Sequence, residues 1–269
     1  TTVRARREVI VSSGAIGSPK LLMQSGIGPA AHLESVGVKC LLDRPGVGAH
    51  LQDRLDLFVI AECTGPHTYD RYAKPHWSAL AGLQYLLTRK GPVASSLFET
   101  GGFWYADREN KARSPDIQFH LGLGSGIEAG IAKLRNAGVT LNTAYLRPRS
   151  RGTVRLASAD PMDAPLIDPA FLSDARDMEA LRKGARVMAQ IMAAPALNKY
   201  RGAELYPAGP SDAELDAAIR ARADTIYHPV GTCRMGPDIQ QAVVDAANQA
   251  AADAAAAAQA AEAASDAAD

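Results

Sequence analysis

The chain opens on a polar stretch that turns apolar at Val9, Ile10 and Val11, a β-branched run suited to a strand buried on both faces. Ser13-Gly14-Ala15 ends that run. Ser18 before Pro19 is placed to cap a short helix ending at Gln24, because serine accepts an end N–H and proline suits the first helical position. Pro29 to Val36 reads as a second short helix closed by Gly37, and Val38–Leu42 as a strand. Residues 43–54 hold Pro45, Gly46 and Gly48 and read as a turn-rich loop. A strand follows over Leu55–Glu62. Leu80, Leu83, Leu86 and Leu87 lie at helical spacing over Ser78–Thr88, with Gly91-Pro92 beyond. Short alternating runs at Gly102–Tyr105, Ile117–Leu121, Thr140–Leu146 and Thr153–Leu156 predict an antiparallel sheet. Met178, Leu181, Ala185, Met188 and Ile191 share one face of a helix over Asp174–Met192. Ser211-Asp212-Ala213-Glu214 is a capping box opening a helix over Leu215–Ala223. The pattern predicts an α+β fold with an antiparallel-sheet domain.

Composition changes this picture at the two ends. Lys+Arg and Asp+Glu both number 29 in 269 residues, and this balance argues against a nucleic-acid partner. Residues 245–269, however, hold 16 alanines, five acids and no base, so the remainder carries a net charge of +5. That tail (246–269) has the best helix-forming residue but no large side chain to dock, and it reads as a low-complexity appendage to the fold. No apolar stretch approaches the length of a membrane span, so the expected location is cytoplasmic or peripheral to a membrane. Cys40, Cys63 and Cys233 lack the spacing of a disulfide framework or a metal site, and no metal is expected. The first residue is Thr1 and a strand-like run follows almost at once. The chain is therefore expected to lack a natural N-terminal part, and no targeting segment is readable.

Two stretches carry candidate chemistry. Gly14-Ala15-Ile16-Gly17-Ser18-Pro19-Lys20-Leu21-Leu22-Met23-Gln24-Ser25-Gly26-Ile27-Gly28 is a strand end, a glycine turn, a helix and a second glycine turn. Backbone N–H groups at such a turn can receive a phosphate or a dinucleotide edge, or can simply punctuate the chain. Tyr227-His228-Pro229-Val230-Gly231-Thr232-Cys233-Arg234-Met235-Gly236 sets one imidazole beside a rigid proline. Such a histidine serves either as a general base near neutral pH or as a structural side chain.

Together these stretches resemble the glucose–methanol–choline (GMC) family of flavin-dependent oxidoreductases, nearest to its choline and aliphatic-alcohol dehydrogenases. PGVGAHLQD at 45–53, FETGGF at 98–103, RPRSRGTVRL at 147–156 and AVVD at 242–245 extend the resemblance from Val3 to Asp245. The resemblance implies FAD as cofactor on a Rossmann-like domain, of which only partial remnants are expected here, and an alcohol bound on a second domain. It divides the chain into a partial FAD-binding domain (1–54), a substrate domain with antiparallel sheet (55–223) and an active-site segment returning to the FAD domain (224–245). It implies that a small alcohol becomes an aldehyde, with hydride leaving for flavin N5 and His228 acting as acid/base. Neutral imidazole is then needed, so activity falls at low pH. Ser12, Ser13 and Gly14 correspond to the strand end that contacts FAD, and Pro229 and Val230 to backbone near the flavin ring. His120 falls where choline-oxidising relatives place a second pocket histidine; otherwise it is a sheet histidine facing solvent. Asp56 falls where such relatives face a trimethylammonium group with Glu, and otherwise is a polar residue on a half-exposed strand. The partners implied are a small alcohol and an electron acceptor (oxygen, quinone or carrier).

Two departures separate this chain from the family pattern. The GxGxxG fingerprint is absent; Gly122-Leu123-Gly124-Ser125-Gly126 has the wrong spacing. The His or Asn expected about forty residues beyond His228 has no match either, because Asn248 comes too early. The alternative to a working enzyme is therefore a non-catalytic fragment unable to hold FAD alone. A cyanohydrin lyase on the same scaffold is a third reading, which the choline-like motifs disfavour.

Overall fold

A computed structural model describes residues 4–107, 114–125, 137–204, 209–238 and 241–243. In chain order the elements are α1 (Gly14–Gln24), β1 (Ile27–Gly28), α2 (Ala30–Ser35), β2 (Leu42–Asp43), β3 (Leu55–Cys63), α3 (Pro75–Thr88), β4 (Phe98–Trp104), β5 (Ile117–Gly122), β6 (Gly138–Tyr145), β7 (Thr153–Arg155), β8 (Leu166–Asp168), α4 (Ala175–Met192), β9 (Arg201–Glu204), α5 (Asp212–Arg222) and β10 (Asp224–Thr225). Short 3-10 turns lie at Tyr69–Ala73, Pro92–Ala94 and Pro195–Leu197. The chain forms two compact units: Thr1–Asp53 with Ser150–Ser173 and His228–Asp269, and Arg54–Arg149 with Asp174–Tyr227. Residues 150–173, read from sequence with the sheet domain, thus cluster with the first unit. Among the described residues the β7–β8 hairpin they contain forms its own two-stranded sheet, and the isolated Leu51–Gly152 bridge and the Val154 N–H, donating to the Gly48 carbonyl at 2.7 Å, tie it to the first unit. The alanine-rich tail lies outside the described residues.

The first unit packs Met23, Leu33, Val47 and Leu156 into a small buried core, with Leu22, Ile27, Val36, Val38, Cys40 and Val243 against it. β1 and β2 pair in parallel over two residues each, so the strand expected over Val38–Leu42 shrinks to its last residue and Asp43. α1 begins at Gly14 rather than after Ser18, and Pro19 sits inside it. Ser18 does not cap the helix by accepting one of its end N–H groups. Its Oγ instead accepts the Ser13 backbone N–H at 3.0 Å. The expected strand over Val9–Val11 is extended chain, with Val9 77% and Ile10 80% exposed. A strand buried on both faces takes its stability from a neighbour on each side, and none of the described strands pairs with these residues.

The second unit is built on a six-stranded antiparallel sheet in the order β10-β3-β6-β5-β4, with β9 also pairing β3. β3 is its centre: Leu55 through Ala61 are all buried, so both faces of this strand are covered rather than one. α4 lies across one face. Its buried stripe of Met178, Leu181, Ala185 and Met188 follows the predicted period, but Ile191, expected on the same face, is 37% exposed and Met192 is buried instead. Gly184 lets that helix approach closely, because a Cβ there would stand 2.4 Å from Thr143 Oγ1. α5 begins with the predicted capping box, Ser211 and Glu214 each holding the other's backbone N–H. α3 forms over Pro75–Thr88, with Pro75 at its first position, but only Ala81 on it is buried.

Candidate active site

His228 is exposed on a loop whose backbone is fastened to residues 48–53. Gln52 and Val230 exchange two backbone hydrogen bonds, each 2.9 Å. The Gly48 N–H donates to the Thr232 carbonyl at 2.8 Å, and the His228 N–H donates to Asp53 Oδ1 at 3.1 Å. Gly231, at φ +97°, completes the clamp, since a Cβ there would lie 2.3 Å from the His50 carbonyl oxygen. Such a φ strains any residue bearing a side chain. PGVGAHLQD is thus the cradle of the histidine loop, a role its glycines and proline do not reveal without the pairing. Burial, then the charges of Arg234 and Arg151, hold the His50 imidazole below its ordinary value.

Pro19 ties the two candidate stretches together. It has no N–H to give the carbonyl four residues back, which is Ala15. The Thr232 hydroxyl donates to that oxygen instead. The turn before α1 and the histidine loop are therefore linked at residues that both motifs contain. Ser12, Ser13 and Gly14 lie at this turn; the first two are exposed, and a Cβ on Gly14 would meet nothing within 4 Å.

On the second unit, the cross-strand register puts Asp56, Asn142, His120 and Gln118 on one face of the sheet, opposite the face carrying Thr143. Asn142 Nδ2 donates to Asp56 Oδ2 at 2.6 Å; both residues are buried, at 2% and 3% exposure. Asn142 stands directly across from His120, whose Nε2 lies 2.8 Å from Gln118 Nε2 and whose ring meets the Phe98 edge at 5.9 Å. His120 is half-buried rather than a solvent-facing sheet histidine. Asp56 lies on a buried strand, not the half-exposed one expected. The structure brings the two pocket candidates onto one face with Asn142 between them. The sequence reading missed Asn142, which stands with Thr140 and Thr143 among apolar neighbours in β6, a run without strict alternation. The other candidate site residues, Ser12, Ser13, Gly14, His228, Pro229 and Val230, lie on the first unit.

Among the described residues no group of three metal-binding side chains occurs, and the three cysteines are free. No described helix is long and apolar enough to cross a membrane.

The family description GMC oxidoreductase matches residues 1–56 with its N-terminal part and residues 148–252 with its C-terminal part. The chain belongs to the GMC oxidoreductase family. It is 41% identical over 246 residues to an oxygen-dependent choline dehydrogenase of Rhizobium johnstonii, covering 90% of this chain and 44% of that protein. A protein of the same description from Brucella ovis is 39% identical over 91% of this chain and 45% of its own length. Among solved structures, formate oxidase matches with a TM-score of 0.82 and 29% identity over 90% of this chain and 47% of that one. Pyridoxine 4-oxidase from Mesorbium loti matches with a TM-score of 0.73 and 32% identity, over 87% and 42% of the two chains. The chain thus spans somewhat under half the length of these GMC relatives.

FAD is the cofactor of the GMC family, and the residues present fit one side of it. The 228–231 backbone is immobilised by its own hydrogen bonds while His228 and Val230 stay exposed, as a wall against a flat ring requires. Gly14 leaves its turn open to a ligand edge. The Ser13 N–H is already taken by Ser18 Oγ and so is not open to a ligand. The described residues offer no glycine-rich strand-to-helix cradle for the pyrophosphate. Gly122 ends β5, and the Gly124 carbonyl accepts from Thr140 Oγ1.

Proposed function

We propose that this chain carries the alcohol-facing part of an FAD-dependent alcohol oxidation, with His228 as its acid/base. The observation that carries this reading is the exposed His228 on a loop whose backbone is fixed on both sides of it. A general base gains from a fixed position within reach of the proton it takes. His228 takes the hydroxyl proton as the alcohol becomes an aldehyde. Bound FAD supplies the acceptor for the hydrogen that leaves the carbon as hydride. Ser12, Ser13, Gly14, Pro229 and Val230 would line the cofactor, and His120 the alcohol pocket. A small primary alcohol such as choline is the proposed substrate, in keeping with relatives described as choline dehydrogenases. Asp56 would favour a cation by its charge across the sheet face rather than by contact, because its carboxylate is buried against Asn142. The final electron acceptor would be oxygen, a quinone or a carrier.

A second reading, favoured by the Val9–Val11 segment, which has no strand beside it among the described residues, is a non-catalytic portion that does not hold FAD alone. A visible spectrum of the chain after incubation with FAD and removal of free ligand separates the two. A retained flavin band that bleaches anaerobically on adding choline supports the enzyme reading, whereas a folded chain without flavin supports the second. With flavin retained, His228→Ala is expected to slow bleaching at least about a hundredfold, the usual scale of a lost general base. An unchanged rate removes His228 from the chemistry.

A further inference from the structure

Helix α3 is built the wrong way round for a core element. Its small residues Ser78, Ala81 and Gly82 occupy one side, and Ala81 is its one buried position. Leu80, Leu83, Leu86 and Leu87 form a stripe on the other side and are 54%, 53%, 68% and 76% exposed, with Val93 beyond them at 52%. Large exposed apolar patches rimmed by polar groups mark interaction surfaces. The rim here has one sign. From Arg71 to Phe98 the chain holds Arg71, Lys74, Arg89 and Lys90 and no Asp or Glu. Among the described residues none of these four cations has a carboxylate partner. The flanking carboxylates are engaged elsewhere: Asp70 accepts from Ser125 and Gly138, and Glu99 from Tyr69 and Ser95. Trp77 and Tyr85 sit near the two ends, under the Arg71 and Arg89 guanidinium groups.

We infer that α3 docks on an anionic lipid surface, lying in its plane with the leucines in the acyl boundary and the cations among the headgroups. At 14 residues, about 21 Å long, the helix is too short to span a membrane, and its outward leucines with Lys74 before it and Arg89 after it suit an interfacial position. Cations at both ends and aromatic rings between them are what an anionic interface selects. A second copy is the poorer occupant, since two-fold pairing of this face would set four uncompensated cations against four more.

The test uses the chain with Trp104→Phe, leaving Trp77 as the single tryptophan, mixed with vesicles of phosphatidylcholine alone or with equimolar phosphatidylglycerol. Co-sedimentation with the anionic vesicles and a blue shift of Trp77 emission are expected, both weakened by salt. Leu83→Glu with Leu87→Glu is expected to lower partitioning about tenfold or more while leaving thermal melting unchanged, as both sites are exposed. Lys74→Glu with Lys90→Glu should lower it comparably on anionic vesicles. Absence of binding to the anionic vesicles overturns the proposal, as does binding that the leucine pair leaves unaltered. So does sedimentation showing a dimer that the leucine pair dissolves, which would make a second copy the occupant.

Discussion

Pro19 has no amide hydrogen, and the consequence reaches the candidate acid/base loop. The Ala15 carbonyl it leaves without a helical donor is taken by Thr232, four residues beyond His228. Asp53 reaches the same loop from the other side through the His228 N–H, which makes it a positioning residue rather than a reacting one. Under the proposed function, Asp53→Ala is expected to lower the rate of flavin bleaching by choline about tenfold, the scale of one hydrogen bond of roughly 1.4 kcal/mol. Amide exchange at His228 should accelerate in the same variant. Asp53→Asn keeps a carbonyl acceptor and should restore both, which a merely structural loss would not do. His228 itself was legible from sequence because the residues around it form a motif. Asp53 was legible only as part of a loop, because hydrogen bonds between residues 175 positions apart leave no local pattern.

Elements formed where local and tertiary preferences agree. α4 has both a helical period and a sheet to bury it, and α5 has its own capping box, so α4 lies within a residue of its sequence-predicted position and α5 starts three residues before its own, at Asp212. Gly184 shows what the period could not: α4 needs a position without a side chain where it crosses β6. Gly184→Ala should cost about 1–3 kcal/mol by overpacking, measured as a lower denaturation midpoint. Thr143→Ala added to it should recover part of that loss, since the two sites share one contact. Val9–Val11 and α3 are the opposite cases. The first has a strand's composition with no described strand beside it, and the second has a core helix's leucines on its exposed side.

At the scale of the whole molecule, long-range pairing also decides the response to acid. His32 Nε2 accepts the Leu156 N–H at 3.1 Å, joining positions 124 apart within the first unit. Burial and then the Arg155 charge lower its imidazole from its ordinary value. A histidine held neutral in the fold binds more protons when unfolded. Its contribution is therefore full above the unfolded value near 6.5 and is lost as pH falls below it towards the lower folded value. His50 is shifted in the same direction and adds to the effect. Thermal melts should show stability declining from pH 7 to pH 5, and His32→Gln, which keeps an acceptor but does not titrate, should flatten that decline. An unaltered slope would remove His32 as a source. The sequence alone determined the family motifs, the antiparallel sheet, the long helix α4 and the α5 cap, and it singled out His228 as a candidate. Each of these is written in nearest-neighbour chemistry or in a period of two or 3.6 residues. Only the tertiary structure decided that Asn142 joins Asp56 to the face of His120, that residues 150–173 fold with the first unit, and that α3 turns its leucines outward. Those outcomes depend on which distant segments meet, and a linear pattern of apolar and polar residues states what must be covered without stating what covers it.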